Sequence, residues 1–227
     1  WESLTRHAHA GAVYSLDEIQ ETYTTKPQDN KTYITSAITP YINFNNTDSY
    51  FNPRSGMIAS TSLKVAGLGG DAKYVKSSTS YKYFKGMEDY LDFDAIFRYR
   101  AHLGVLEDTG YITQGNSFYL GGVKSVRGFK AYAFGPQTDE APYKRTFSNS
   151  VELSMPLIPR AKMRWGVFYD YGMIGQNNFT QIKRSGTGAL IEWISPVGPL
   201  QFIFSQPLDD KAGDATSSFE FSLGSKF

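Results

Sequence analysis

The chain contains no cysteine, which removes disulfide frameworks, thiolate metal sites and cysteine nucleophiles together. It has no apolar run near the ~18 residues that a membrane-spanning helix requires. It has no excess of one charge, with 23 Lys and Arg against 22 Asp and Glu in 227 residues, and no polybasic run. A nucleic-acid partner is therefore not expected. Neither a Gly-x-Ser-x-Gly elbow nor a Gly-rich phosphate cradle ending in Lys-Ser/Thr occurs. His7 and His9 could share one strand face and one metal, but no third ligand accompanies them, and solvated histidines are the reading adopted. Asp209, Asp210 and Asp214 lack calcium-loop spacing. No catalytic residue, metal or cofactor is expected. Solenoid repeats and Pro- or Ser-rich linkers are also missing. The opening Trp1-Glu2-Ser3 is neither an initiator Met nor a signal peptide, so the chain reads as part of a longer one.

Aromatic residues are abundant: 16 Tyr and 16 Phe, beside 21 Gly. That composition favours an all-β fold. A transmembrane barrel is polar on average because half of each strand faces water, so low hydropathy is compatible with it.

Period-two patterning predicts where the strands lie. Leu91, Phe93, Ala95, Phe97, Tyr99, Ala101 and Leu103 form one apolar row. Asp92, Asp94, Arg98, Arg100 and His102 face the other way, interrupted by Ile96. Lipid outside and a wet lumen inside would produce such a ribbon. Met163, Trp165, Val167, Tyr169 and Tyr171 alternate with Arg164, Gly166, Phe168, Asp170 and Gly172. Phe147, Val151, Leu153 and Met155 alternate with Ser148, Ser150, Glu152 and Ser154. Leu200, Phe202 and Phe204 form a further row, and the last strand is expected over about 217–227. Weaker strands are expected at 4–16, 32–45, 56–66, 72–84 and 186–194. The total is roughly ten antiparallel strands.

Compact joins at 85–89, 157–160 and 195–199 alternate with longer polar links at 17–31, 104–146, 173–185 and 207–217. Short on one side and long on the other is the asymmetry of outer-membrane barrels. The longest link holds a Gly-rich stretch, 115–137, carrying Val126-Arg127-Gly128-Phe129. A cation set among small residues and an aromatic suggests a loop folded against something.

Four features occur in order. They are the turn Asn52-Pro53-Arg54-Ser55-Gly56 after Tyr50-Phe51; Gly121-Gly122 leading to Val126-Arg127-Gly128-Phe129; Phe168-Tyr169-Asp170-Tyr171-Gly172; and Trp193 to Leu200 followed by Phe204-Ser205-Gln206-Pro207 and a terminal aromatic strand. This set resembles the C-terminal part of the BamA-type barrels within the bacterial surface antigen superfamily, and covers the chain from about residue 45 onward. The resemblance implies a transmembrane barrel of roughly sixteen strands. Residues 1–227 would supply its C-terminal portion, with further strands and POTRA domains upstream. A smaller barrel or an open sheet folding alone is the competing architecture.

The resemblance also implies that the Val126, Arg127, Gly128 and Phe129 loop folds back into the lumen. Parity offers Glu152 and Asp170 as carboxylates for Arg127, with Phe168 beside them and Gly172 on the same wall; Phe129 and Phe168 would shield the pair. Phe219, Phe221, Leu223 and Phe227, with Gly224 as a weak point, resemble the sorting signal of outer-membrane proteins and one side of a strand seam. The function implied is insertion of other barrels into the bacterial outer membrane, without enzymatic chemistry. Its partners would be unfolded outer-membrane proteins, assembly-complex lipoproteins and the lipid bilayer. A two-partner-type polypeptide secretion pore and the barrel anchor of a patatin-like lipase remain alternatives.

Overall fold

The computed structural model describes residues 2–3, 5–21, 31–50, 52–136, 140–196 and 198–224. One sheet contains every strand, in chain order and antiparallel throughout. The strands are β1 (Glu2–Ser3), β2 (Ala8–Glu21), β3 (Lys31–Asn45), β4 (Ser55–Gly70), β5 (Tyr74–Gly86), β6 (Ile96–Asp108), β7 (Arg145–Ile158), β8 (Met163–Gly175), β9 (Ile182–Ser195), β10 (Gly198–Pro207) and β11 (Phe219–Leu223). Among the described residues no ladder joins β11 to β1 or β2, so the sheet is an unclosed barrel. From β2 to β9 each strand is at least 13 residues long, more than the ~9–11 a tilted spanning strand needs.

The two faces of this sheet differ as period-two patterning requires. Along β7, Thr146, Ser148, Ser150, Glu152 and Ser154 are buried while Val151 is exposed. Along β8, Arg164, Phe168 and Asp170 are buried while Trp165, Val167 and Tyr169 are exposed. Exposed aromatics opposite buried charges describe a lipid-facing exterior and a polar interior.

Several boundaries depart from the sequence reading: β4 runs on to Gly70, β6 to Asp108 and β8 to Gly175, and β9 starts at Ile182, while three further differences follow from local geometry and pairing. The alternation over 91–95 is not strand: Glu88–Leu91 forms a single helical turn, α1, and Asp92 adopts a left-handed backbone (φ 56°) that ends it. The row that looked continuous from Leu91 therefore combines turn and strand, and β6 begins at Ile96. β2 lies further along the chain than 4–16 because it pairs with β3 up to Glu21–Lys31. β11 is shorter than 217–227, starting at Phe219. On the side of the long links, β4 and β5 are joined by only Asp71–Lys73.

The apolar core lies inside the lumen, toward the long-loop end. Leu120, Val126, Phe129, Phe134 and Tyr143 from the 109–144 link pack on Tyr33, Ala37, Ala66, Tyr74, Leu106 and Ile174 of the wall. The link is anchored by Lys76 Nζ donating to the Asn116 carbonyl (2.7 Å) and by Tyr33 Oη hydrogen-bonded to Thr113 Oγ1 (2.6 Å). Toward the short-turn end a cavity of about 920 Å³ is lined by Asn52, Arg54, Lys82, Arg98, Arg164 and Glu192, among others.

Candidate functional site

Strand register assembles the site. Arg100, Ser150, Asp170 and Gly186 face one another across β6 to β9 and form one transverse row. Arg98, Glu152, Phe168 and Gly188 form the next. Arg127 lies over both. Its Nε and Nη2 donate to the two Asp170 oxygens (2.7 and 2.8 Å), and its backbone N–H donates to Asp170 Oδ2 (2.9 Å). Nη1 donates to Glu152 Oε2 (3.0 Å), and Nη2 also reaches Ser150 Oγ (2.9 Å). The guanidinium sits 3.4 Å above the Phe168 ring centroid. Arg127 is 3% exposed, Glu152 1% and Asp170 0%. Charges so desolvated are tolerable because each is paired and hydrogen-bonded. The planar fork of arginine, unlike a lysine, meets a carboxylate with two parallel bonds while stacking on an aromatic.

The residues flanking Arg127 let the loop lie flat. Gly128 holds φ 99°, and a Cβ there would stand 2.9 Å from the Pro207 nitrogen. Gly172 opens the wall: a Cβ on it would come within 2.6 Å of Val126 Cγ2 and 2.8 Å of the Leu120 methyls. Phe129 does not cover the ion pair with Phe168. It turns away into the loop core and meets Phe134 edge-on at 5.0 Å. Phe168 instead belongs to a separate apolar group with Leu190 and Ile203, against which Val123 packs. With the tip backbone pressed on the wall, the Arg127 and Phe129 side chains diverge.

The network is larger than the sequence suggested. Glu152 bridges two arginines, because its Oε1 accepts from Arg98 Nη1 (2.9 Å). Arg98 Nη1 also donates to Glu192 Oε2 (2.7 Å), and Gln201 Nε2 donates to Glu192 Oε1 (2.8 Å). Arg98 Nη2 reaches Asn52 Oδ1 in the 46–54 turn (3.4 Å). Arg100 Nη2 holds the loop by donating to the Val123 carbonyl (3.0 Å). Alternation puts Arg98 and Arg100 on the charged face of their strand, but nothing local in the sequence names their ligands. Lower still, Arg164 donates to both Asp94 oxygens (3.2 Å each), and Arg54 pairs with Asp94 (2.9 Å) and Glu88.

The outer face of the terminal strand points away from this cluster, while Glu220 on its inner face lies within electrostatic reach of Arg127 and Asp170. Phe219, Phe221 and Leu223 are exposed on the outer face, where Phe202–Phe221 and Phe204–Phe219 ring pairs sit 5.3 Å apart. Gly224 ends the strand at φ 72°, its N–H donating to the Pro199 carbonyl (2.8 Å). Phe227 lies outside the described residues. The 208–218 link carries a second fork that sequence reading missed: Arg184 Nε and Nη2 donate to Asp214 Oδ2 and Oδ1 (2.7 and 3.0 Å). The hydrogen bond from Arg184 holds the Asp214 carboxyl below its ordinary value of 3.8.

A strip of antiparallel strands with an apolar exterior, a charged interior and an arginine-tipped loop packed into its lumen defines part of an outer-membrane β-barrel. A model of the Omp85 superfamily domain matches residues 4–227, and the chain belongs to that superfamily. It is 29% identical to the outer membrane protein assembly factor BamA of Neorickettsia risticii (strain Illinois), over 96% of this chain and 31% of that protein. It is 27% identical to the BamA of Neisseria meningitidis serogroup B, over 81% of this chain and 28% of that protein. The chain thus spans about a third of the curated relatives it matches. Among solved structures, BamA from Haemophilus ducreyi lacking POTRA domains 1–3 superimposes with a TM-score of 0.79 at 20% identity, covering 94% of this chain and 50% of that one. These relationships make it a protein of the bacterial outer membrane.

Proposed function

We propose that the chain is the C-terminal portion of a barrel that assembles and inserts other outer-membrane proteins, acting through strand pairing rather than covalent catalysis. On this reading, further barrel strands and POTRA domains precede residue 1, and its partners are unfolded barrel proteins, assembly lipoproteins and lipid. The observation that carries it is the terminal hairpin: β11 pairs with β10 over five residues, Leu200–Phe204 with Phe219–Leu223, and then reaches Gly224. A short, weakly held edge strand is a natural acceptor for an incoming strand, with Phe219, Phe221 and Leu223 presented to lipid. The assembly-factor relatives over 80–96% of this chain favour this reading over a secretion pore or a lipase anchor.

Depletion of the full-length protein in its own cells tests this. General loss of outer-membrane barrels, accompanied by accumulation of their unfolded precursors, is the expected result. Loss of a single secreted polypeptide, with the barrels intact, would refute insertion and indicate a pore.

A further inference from the structure

β10 and β11 are of unequal length, and the difference is taken up by the docked loop. All ten residues of β10 pair with β9, but only Leu200–Phe204 pair with β11. Above that point Ser205 still holds the incoming chain, its N–H donating to the Ser218 carbonyl and its Oγ to the Ser217 carbonyl (3.0 Å each). The chain then leaves the sheet for the tip of the arginine loop. Ser217 N–H donates to the Gly128 carbonyl (3.0 Å), Lys130 N–H donates to the Ala215 carbonyl (2.8 Å), and Phe129 and Thr216 form an antiparallel bridge.

What steadies residues 208–218 in that position is the fork of Arg184 on Asp214, 7% and 12% exposed. Asp214 Oδ2 also accepts from Lys211 N–H (2.8 Å), and Asp209 Oδ1 accepts from Ser185 N–H (2.6 Å). Arg184 touches the other loop as well: its guanidinium lies 5.0 Å from the Phe134 ring, which meets Phe129. One side chain thus contacts both the link that leads into β11 and the loop that carries Arg127.

We propose that Arg184 and Asp214 are positioning residues that tie the docked arginine loop to the terminal strand, so that loop docking sets how firmly β11 pairs. Its functional importance rests on the reading above that β11 is one side of the strand-accepting seam. The single bridge of Phe129 with Thr216, and the two hydrogen bonds that flank it, hold residues 215 and 216 off β10, which limits the ladder of β11 to Leu200–Phe204. Release of the fork frees the link, and with it the upper end of the seam strand.

Hydrogen exchange on the full-length protein in lipid vesicles tests the tie. Asp214→Asn is expected to accelerate exchange of 215–223 and of 128–130 by roughly tenfold, as local opening without global unfolding does. Segments 150–154 and 168–172 should keep their protection, and Asp214→Glu, which retains the charge, should restore most of it at 215–223. If Asp214→Asn does not fold, Arg184→Lys, which keeps charge but loses the fork, should give a smaller acceleration in the same segments. Acceleration confined to 208–214, with 215–223 unchanged, would overturn the proposal. Insertion of a substrate barrel measured on the same vesicles separates the two readings. Unchanged 215–223 exchange with altered Asp214 and intact insertion removes the tie alone. A wild-type protein that inserts nothing removes the assembly role, and the exchange result still decides the tie.

Discussion

Two arginine clusters in the lumen use the same chemistry at different depths. Around Arg127, the charges of Glu152, Asp170 and Arg98 are each at most 4% exposed at the side chain. Around Arg54, near the short turns, side-chain exposure is 32% for the arginine and 56% and 36% for Glu88 and Asp94. Water can replace a lost ligand in the second cluster but not in the first. The difference teaches that the upper cluster fixes a conformation, whereas the lower one decorates a wet rim. A loop of more than thirty residues, 109–144 between β6 and β7, needs such a fixed point, because its backbone alone pairs with little of the sheet.

The strongest way to break this contrast is Arg127→Ala. It leaves Asp170 buried without the fork that neutralises it and Glu152 with Arg98 alone, at an expected cost of on the order of 3–5 kcal/mol. Limited proteolysis should then cut within 115–136 faster than in the native chain; an unchanged cutting rate would show that the loop is held by its apolar core alone. Gly172→Val sharpens the comparison without touching a charge, by pushing Val126 and Leu120 off the wall. Overpacking of this kind costs about 1–3 kcal/mol, read as a lowered unfolding midpoint. Arg54→Ala should do least, about 0–1 kcal/mol, with a difference that shrinks further in high salt. A loss from Arg54→Ala as large as that from Arg127→Ala would erase the distinction between fixed point and rim.

The architecture was legible where strands alternate without interruption. Thr146 to Ser154 and Arg164 to Gly172 show their inner faces in sequence, since a period of two determines which side chains enter the lumen. Legibility failed where alternation arose by chance: Leu91 and Phe93 have the spacing of a strand but precede it, and the left-handed Asp92 is invisible to a pattern of polarity. It failed again where contacts join distant residues. Arg98 meets Glu192 across three strands, and Arg184 meets Asp214 thirty positions on; no local spacing encodes either pair. The divergence of Phe129 from Phe168 was illegible for a related reason: it depends on which face of the loop tip meets the wall. The 71–73 link shows that the length asymmetry of connections is a tendency with at least one exception on this barrel.

The position of Arg127 in the chain has a consequence for timing. Its ligands Ser150, Glu152 and Asp170, and the backbone groups at 215–217 that bond its neighbours, all come later in the sequence. A polypeptide delivered from its N-terminus therefore presents this arginine before any of them exists. Contacts so far apart along a chain form late. A seated tip thus requires that β7, β8 and the 208–218 link have already come into place beside it.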